Sequence, residues 1–193
     1  MSASPNWRLF PIFLTVFIDL VGVGIVIPVL APLFLSPASP LADPNWSFQT
    51  RTLLMGLLAA CYPLAQFFGA PYLGALSDRW GRKPVLLASL AGTLIGYVLF
   101  ALAVGWGKLW LLFLARILDG FTGGNIATAQ SAISDVSTEE TKARNFGLIG
   151  MAFGLGFILG PFLGGKLSDP SVASWFTLAT PFWFAAGLCF INI

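Results

Sequence analysis

The sequence has no histidine, two cysteines and little charge: 9% of its residues are Asp, Glu, Lys or Arg, against about 25% in soluble domains. Cys61 and Cys189 sit far apart in apolar runs, so neither a metal cluster nor a disulfide framework is available. The lack of histidine, of a nucleophile elbow and of metal-ligand spacing argues against an enzyme. A net charge of +2, spread along the chain, leaves no basic stripe for nucleic acid. What the chain has in excess is apolar surface, at 57% of residues, and burying that much calls for lipid rather than water as solvent. The first apolar run is long and carries Asp19 and prolines, unlike the short core of a cleavable signal peptide.

A helix needs about 20 apolar residues to cross a hydrocarbon core. Six runs approach or exceed that, at residues 9–35, 52–76, 85–105, 109–134, 146–167 and 176–193. The predicted fold is therefore an all-α membrane domain, since irregular backbone facing lipid would leave amides unsatisfied. The connectors are polar or proline-rich. In the one between the fourth and fifth runs, Ser137 and Glu140 have capping-box spacing, which predicts a short surface helix. A cytoplasmic N-terminus puts Arg8, Arg79, Arg82, Lys83, Lys142 and Arg144 inside and Arg51, Lys108 and Lys166 outside, the orientation that basic residues favour. Trp7, Trp46, Trp80, Trp106, Trp110 and Trp175 lie near run ends, where interfacial anchors belong.

The segment GLGFILGPFLGGKLS, Gly154 to Ser168, contains the GxxxxGK spacing of a phosphate-binding loop. A phosphate loop follows a strand and ends in Ser or Thr; here a spanning helix precedes it and Leu167 stands at the hydroxyl position. Gly156, Gly160 and Gly164 recur every four residues, with Gly165 beside the last, so they form a face for close helix packing, and Pro161 adds a local bend.

Three stretches resemble the major facilitator superfamily. GFILGPFLGG is similar to the Gly-Pro motif in the fifth helix of its drug:proton antiporters, and GALSDRWGRKP, Gly74 to Pro84, resembles the signature loop between the second and third helices. DLVGVGIVIP, Asp19 to Pro28, resembles the first helix of the twelve-helix drug:proton antiporters, tetracycline-efflux proteins above all. LARILDGFTGG in the fourth run is similar to their R-x-x-Q-G segment, with Asp119 where Gln is usual. The resemblance covers the whole chain. It also aligns Gly96 with a place in the third helix where tetracycline exporters carry a carboxylate, and it implies a second six-helix half beyond this N-terminal one. From the resemblance, Gly74, Asp78, Arg79, Gly81, Arg82 and Lys83 form a cytoplasmic latch: Gly74 lets the opposite half approach, and Asp78 faces a helix N-terminus there. The alternative is that the bases serve only as a topology signal.

A charge at membrane depth costs about 2.5 to 3.5 kcal/mol, so Asp19, Arg116 and Asp119 must face a partner or a wet cavity. Arg116 and Asp119, three apart on one helix, can neutralise each other. Gly123, Ala127 and Gln130 share their face, whereas Asn125 points away from it. Thr15 lies one turn before Asp19, and Tyr62 and Gln66 lie one turn apart on the second helix, where they can bind cargo or simply bond to another helix. Burial and a neighbouring guanidinium pull the protonation of Asp19 in opposite directions, the tension a proton-coupled site needs.

These readings together predict half of a secondary transporter that exchanges protons for small amphipathic molecules by alternating access around a midplane site. The proton-coupling residues are Asp19, Asp119 and Arg116, and the cavity residues Thr15, Tyr62, Gln66, Gly123 and Gln130. The chain is expected in the inner (plasma) membrane, in contact with lipid, cargo and either a C-terminal half or a second copy of itself, with the proton as coupling ion and no cofactor. The rival is a transport-inactive membrane subunit or scaffold.

Overall fold

A computed structural model describes residues 9–37, 39–41 and 43–193. Trp7 and Arg8, used above as anchor and topology residues, lie outside the described residues. The described residues form helices and no strand: α1 (Leu9–Leu35), α2 (Phe48–Trp80), α3 (Arg82–Trp106), α4 (Leu109–Thr122), a 3₁₀ turn (Gly123–Asn125), α5 (Ile126–Asp135), α6 (Glu139–Leu167) and α7 (Thr180–Asn192). Helices α1, α2, α3 and α6 are long and apolar enough to cross a membrane, and α7 is a shorter apolar helix. The fourth apolar run is covered by α4, the 3₁₀ turn and α5 in succession.

Local chemistry sets several of the helix ends. Gly81, at φ +90°, is the hinge between α2 and α3, a conformation L side chains rarely adopt, and its N–H still donates to the carbonyl of Ser77 at 3.0 Å. Gly107, at φ +63°, closes α3 in the left-handed conformation common at helix C-termini.

The expected short surface helix after α5 is not a separate element. Ser137 Oγ donates to the carbonyl of Ile133 at 2.6 Å and accepts from Asn145 Nδ2 at 2.9 Å, so its hydroxyl faces back into the bundle instead of capping the next turn. Thr138 takes the N-terminal position, with its N–H donating to Thr141 Oγ1 at 2.9 Å, and α6 runs unbroken from Glu139 through the membrane.

Helix α1 is central. Against α6 it packs backbone to backbone: a Cβ on Gly160 would lie 2.7 Å from both the Cα of Gly24 and the carbonyl oxygen of Val21, and one on Gly156 would lie 2.6 Å from the Cβ of Leu20. Gly164 stands against the carbonyl of Ile25, and the ring of Pro161 covers Gly24. Three of the four glycines read as a packing face are therefore in the α1–α6 seam, while a Cβ on Gly165 would meet nothing within 4 Å. On its other side α1 shares an apolar core with α3, α4 and α7, including the stacked rings of Phe100 and Phe182 with centroids 4.0 Å apart. A second cluster joins Val16 and Leu20 of α1 to Ala129 and Ile133 of α5 and Ile149 and Ala152 of α6.

The seam predicts opposite signs for two alanines on one helix. Gly160→Ala overpacks the α1 contact and should cost about 1–3 kcal/mol. Gly154→Ala, which meets nothing within 4 Å, should gain up to about 1 kcal/mol from helix propensity. Thermal unfolding of the two variants in detergent checks this; equal shifts would contradict the seam.

Candidate functional site: a buried charge cluster beside an interhelical cleft

The site is built on α1, α2 and α4. Asp19, Arg116 and Asp119 are 3%, 4% and 3% exposed, so each depends on partners inside the bundle. Arg116 Nη1 donates to Asp119 Oδ2 at 3.0 Å, which realises the three-residue pairing within α4. The guanidinium also lies 4.5 Å from the ring centroid of Tyr62 on α2, a cation–π contact that partly replaces lost hydration. Gly96 on α3 explains how Asp119 fits: a Cβ there would come within 2.9 Å of the Asp119 Cβ. The α4 backbone and the Asp119 Cβ thus come close to α3 where Gly96 leaves its backbone bare.

The polypeptide changes pitch one turn further on. Gly123 and Gly124 are poor helix formers, and the 3₁₀ turn falls on them. Gln66 Nε2 donates to the carbonyl of Gly123 at 2.8 Å and to the Tyr62 hydroxyl at 3.4 Å. Small residues let α2 come this close: Gly69, Gly120 and Gly124 each stand against backbone of the opposing helix. Beside them, Thr93 Oγ1 on α3 and Thr122 Oγ1 on α4 are 3.3 Å apart.

Asn125, at the end of the 3₁₀ turn, reaches across to α1, where its Nδ2 donates to Asp19 Oδ2 at 2.7 Å. Helical spacing had set Asn125 apart from the Arg116 face; the structure gives it a partner on another helix, and it is the main site residue that sequence reasoning missed. The signal was the Gly-Gly-Asn triplet inside a spanning run.

A cleft of about 320 Å³ opens between Val23, Val26, Ile27 and Leu30 of α1 and Ala59, Tyr62, Pro63 and Gln66 of α2, with Arg116 at its wall. A neighbouring one of about 450 Å³ shares Pro63 and Gln66 and adds Gly124, Ala127 and Gln130. Tyr62 and Gln66 thus line one cleft with Arg116, Gly123 is joined to Gln66 by its hydrogen bond, and Gln130 lines the neighbouring cleft. Thr15 is elsewhere: its hydroxyl donates to the carbonyl of Pro11 at 2.9 Å and accepts from Asn192 of α7 at 3.1 Å, on the side of α1 that meets α7.

At the other charged site, Arg82 is the hub. It donates to Asp78 at 2.6 Å, to Ser77 Oγ at 2.7 Å and to Asp135 at 3.1 Å, which ties the α2–α3 hinge to the end of α5. Asp135 was not among the residues expected there. Arg79 and Lys83 are exposed, and a Cβ on Gly74 would meet nothing within 4 Å, leaving that face of α2 open.

Long apolar helices around buried charges and a cleft define a polytopic membrane protein whose polar groups face its interior. Sequence comparison identifies the family. The profile of the Major Facilitator Superfamily matches residues 12–193, and the chain belongs to that superfamily, with the architecture of a half-bundle. It is 43% identical over 188 residues to the class C tetracycline resistance protein of Escherichia coli, covering 97% of this chain and 43% of that protein. It is 40% identical over 181 residues to the class H tetracycline resistance protein of Pasteurella multocida, covering 94% and 41%. It is also 32% identical over 195 aligned residues to the mouse major facilitator superfamily domain-containing protein 10, covering 91% and 42%. The chain thus spans about two-fifths of the length of these curated relatives.

The Arg116–Asp119 pair predicts a non-additive mutant cycle. Arg116→Met or Asp119→Leu alone leaves one buried charge unpaired and should destabilise the chain by about 3 kcal/mol, whereas the double variant should recover most of that loss. Unfolding in detergent measures the coupling, and additive losses would show that the two charges are satisfied independently.

Proposed function

We propose that the chain forms the N-terminal half of a proton-coupled exporter of small amphipathic molecules, working by alternating access together with a C-terminal six-helix half. The observation that carries this reading is Asp19: an intramembrane carboxylate, 3% exposed, within the helix that walls the cleft, with one oxygen bonded and the other without a partner. Buried carboxylates in spanning helices are expensive and mark ion or proton pathways. The apolar walls of the cleft, with Tyr62, Gln66 and Arg116 as polar points, suit a cargo with both apolar and polar faces. The names of the bacterial relatives make tetracyclines the first cargo to test.

The reading assigns the Arg82–Asp78–Asp135 cluster to the cytoplasmic end, where it acts as a latch that favours one conformational state. It places the N-terminus in the cytoplasm and the protein in the inner (plasma) membrane, with the proton as coupling ion. Basic residues at the connector ends support the orientation.

Three outcomes test it in a transporter made by joining or co-expressing residues 1–193 with a C-terminal half. Asp19→Asn should abolish active efflux and cargo-induced proton release while the folded protein persists, because the change removes a costly buried charge and keeps the shape. Asp78→Asn should leave insertion intact and reduce transport severalfold by shifting the conformational balance. Proton release that survives Asp19→Asn and disappears in Asp119→Asn would transfer the coupling role to α4.

A further inference from the structure

The contact between α1 and the 3₁₀ turn is incomplete in an informative way. Asp19 Oδ2 accepts from Asn125 Nδ2 at 2.7 Å, yet Asp19 Oδ1 and Asn125 Oδ1 are both buried and both without a hydrogen-bond partner. Asn125 is 0% exposed. Two acceptor oxygens are thus left over on one hydrogen-bonded pair, deep in the bundle, where an unmade bond costs its full desolvation penalty. An ionised carboxylate only accepts, so in that state the pair has one bond and no donor for either remaining oxygen. A carboxylic acid has an O–H to donate, and a carboxamide oxygen is the acceptor that matches it.

We infer that Asn125 is the positioning partner of neutral Asp19: on protonation the pair gains a second hydrogen bond, from the Asp19 hydroxyl to Asn125 Oδ1, which clamps α1 to the 3₁₀ turn after α4. The proton comes from water and lands on Oδ1, the charge of Asp19 goes from −1 to 0, and Oδ2 keeps its bond from Nδ2. One proton satisfies both orphan oxygens. Ionisation returns the pair to a single bond and loosens the clamp. Since Gln66 and Asn125 hold opposite ends of the same turn, the state of Asp19 is passed directly to the backbone that walls the Gln130 cleft.

Among the described residues, Asn125 is the one whose side chain hydrogen-bonds the Asp19 carboxyl. Asp119 from α4 interacts with it electrostatically and is itself bonded to Arg116; Tyr62 from α2, Tyr97 from α3 and Cys189 from α7 also sense its charge, and none hydrogen-bonds it. The turn of α6 at this level presents Gly156 to Leu20 and Val21, and α5 presents Ala129 and Ile133 to α1. This inference deepens the proton-coupled reading and rests on it for its functional consequence.

Infrared difference spectroscopy of residues 1–193 in detergent, between acid and alkaline pH, tests the pair without transport. A carboxylic acid C=O band should form on acidification and be lost in Asp19→Asn. In Asn125→Leu, with helix content checked by circular dichroism, that band should move to the higher frequency of a less hydrogen-bonded acid. Should the Leu variant not fold, wild-type chain with ¹³C-labelled asparagine decides: the asparagine carboxamide band should shift together with the acid band. An acid band unmoved by Asn125→Leu, or a carboxamide band that ignores protonation, overturns the pairing and leaves the proton-coupled reading standing. If Asp19 yields no acid band at any pH the protein tolerates, both fall. A responsive pair in a transporter whose exchange is independent of the proton gradient upholds the pairing and removes the coupling.

Discussion

The close approach of α1 and α6 sets the geometry of everything else. In lipid there is no hydrophobic force to press two apolar helices together, so affinity depends on van der Waals contact, and contact depends on how near the backbones come. Gly24 and Gly160 remove both side chains at the crossing, with Gly156 and Gly164 one turn away on either side. With α1 anchored on that seam, its opposite faces are committed: toward α7 through Thr15 and Asn192, and toward α4 and α5 through Asp19 and Asn125. A shift of α1 along the seam would move Asp19 out of reach of its one bonded partner.

The second organising constraint is that buried polarity must be answered from within the bundle. Arg116 is met by a carboxylate and an aromatic face, the Gly123 carbonyl by Gln66, and Thr93 by Thr122. The Arg116–Asp119 pair lies within α4, whereas the Tyr62, Gln66 and Thr93 contacts cross between elements and so stabilise particular helix orientations. Among the described residues, the buried side-chain atoms left without a partner are Asp19 Oδ1, Asn125 Oδ1, Arg116 Nε, Ser89 Oγ and Thr128 Oγ1, and of these residues Arg116 lines the cleft.

Much of this was legible in the sequence, for physical reasons. Apolar runs longer than a bilayer is thick have few alternatives to spanning helix, and the four-residue spacing of Gly156, Gly160 and Gly164 has one geometric meaning on a helix. The Arg116–Asp119 pair was equally readable, because both residues lie on one helix at contact distance. Gly165 shows where such reading stops: it belongs to the same glycine-rich run, yet it faces open space, since one residue of rotation carries it off the seam.

What the sequence by itself determined was the solvent, the number of apolar segments and every contact that depends on spacing within a single helix. Only the tertiary structure decided the contacts between helices: Asn125 with Asp19, 106 residues away, Gln66 with Gly123, Gly96 making room for Asp119, and Arg82 joining Asp135. It also decided that the polar run after α5 would cap and extend α6 instead of forming a helix of its own, because the Ser137 hydroxyl was already spent on Ile133 and Asn145. Local periodicity specifies which way a side chain points from its own axis; how two axes are rotated against each other is set by the sum of their packing, and that sum is not written at any one position.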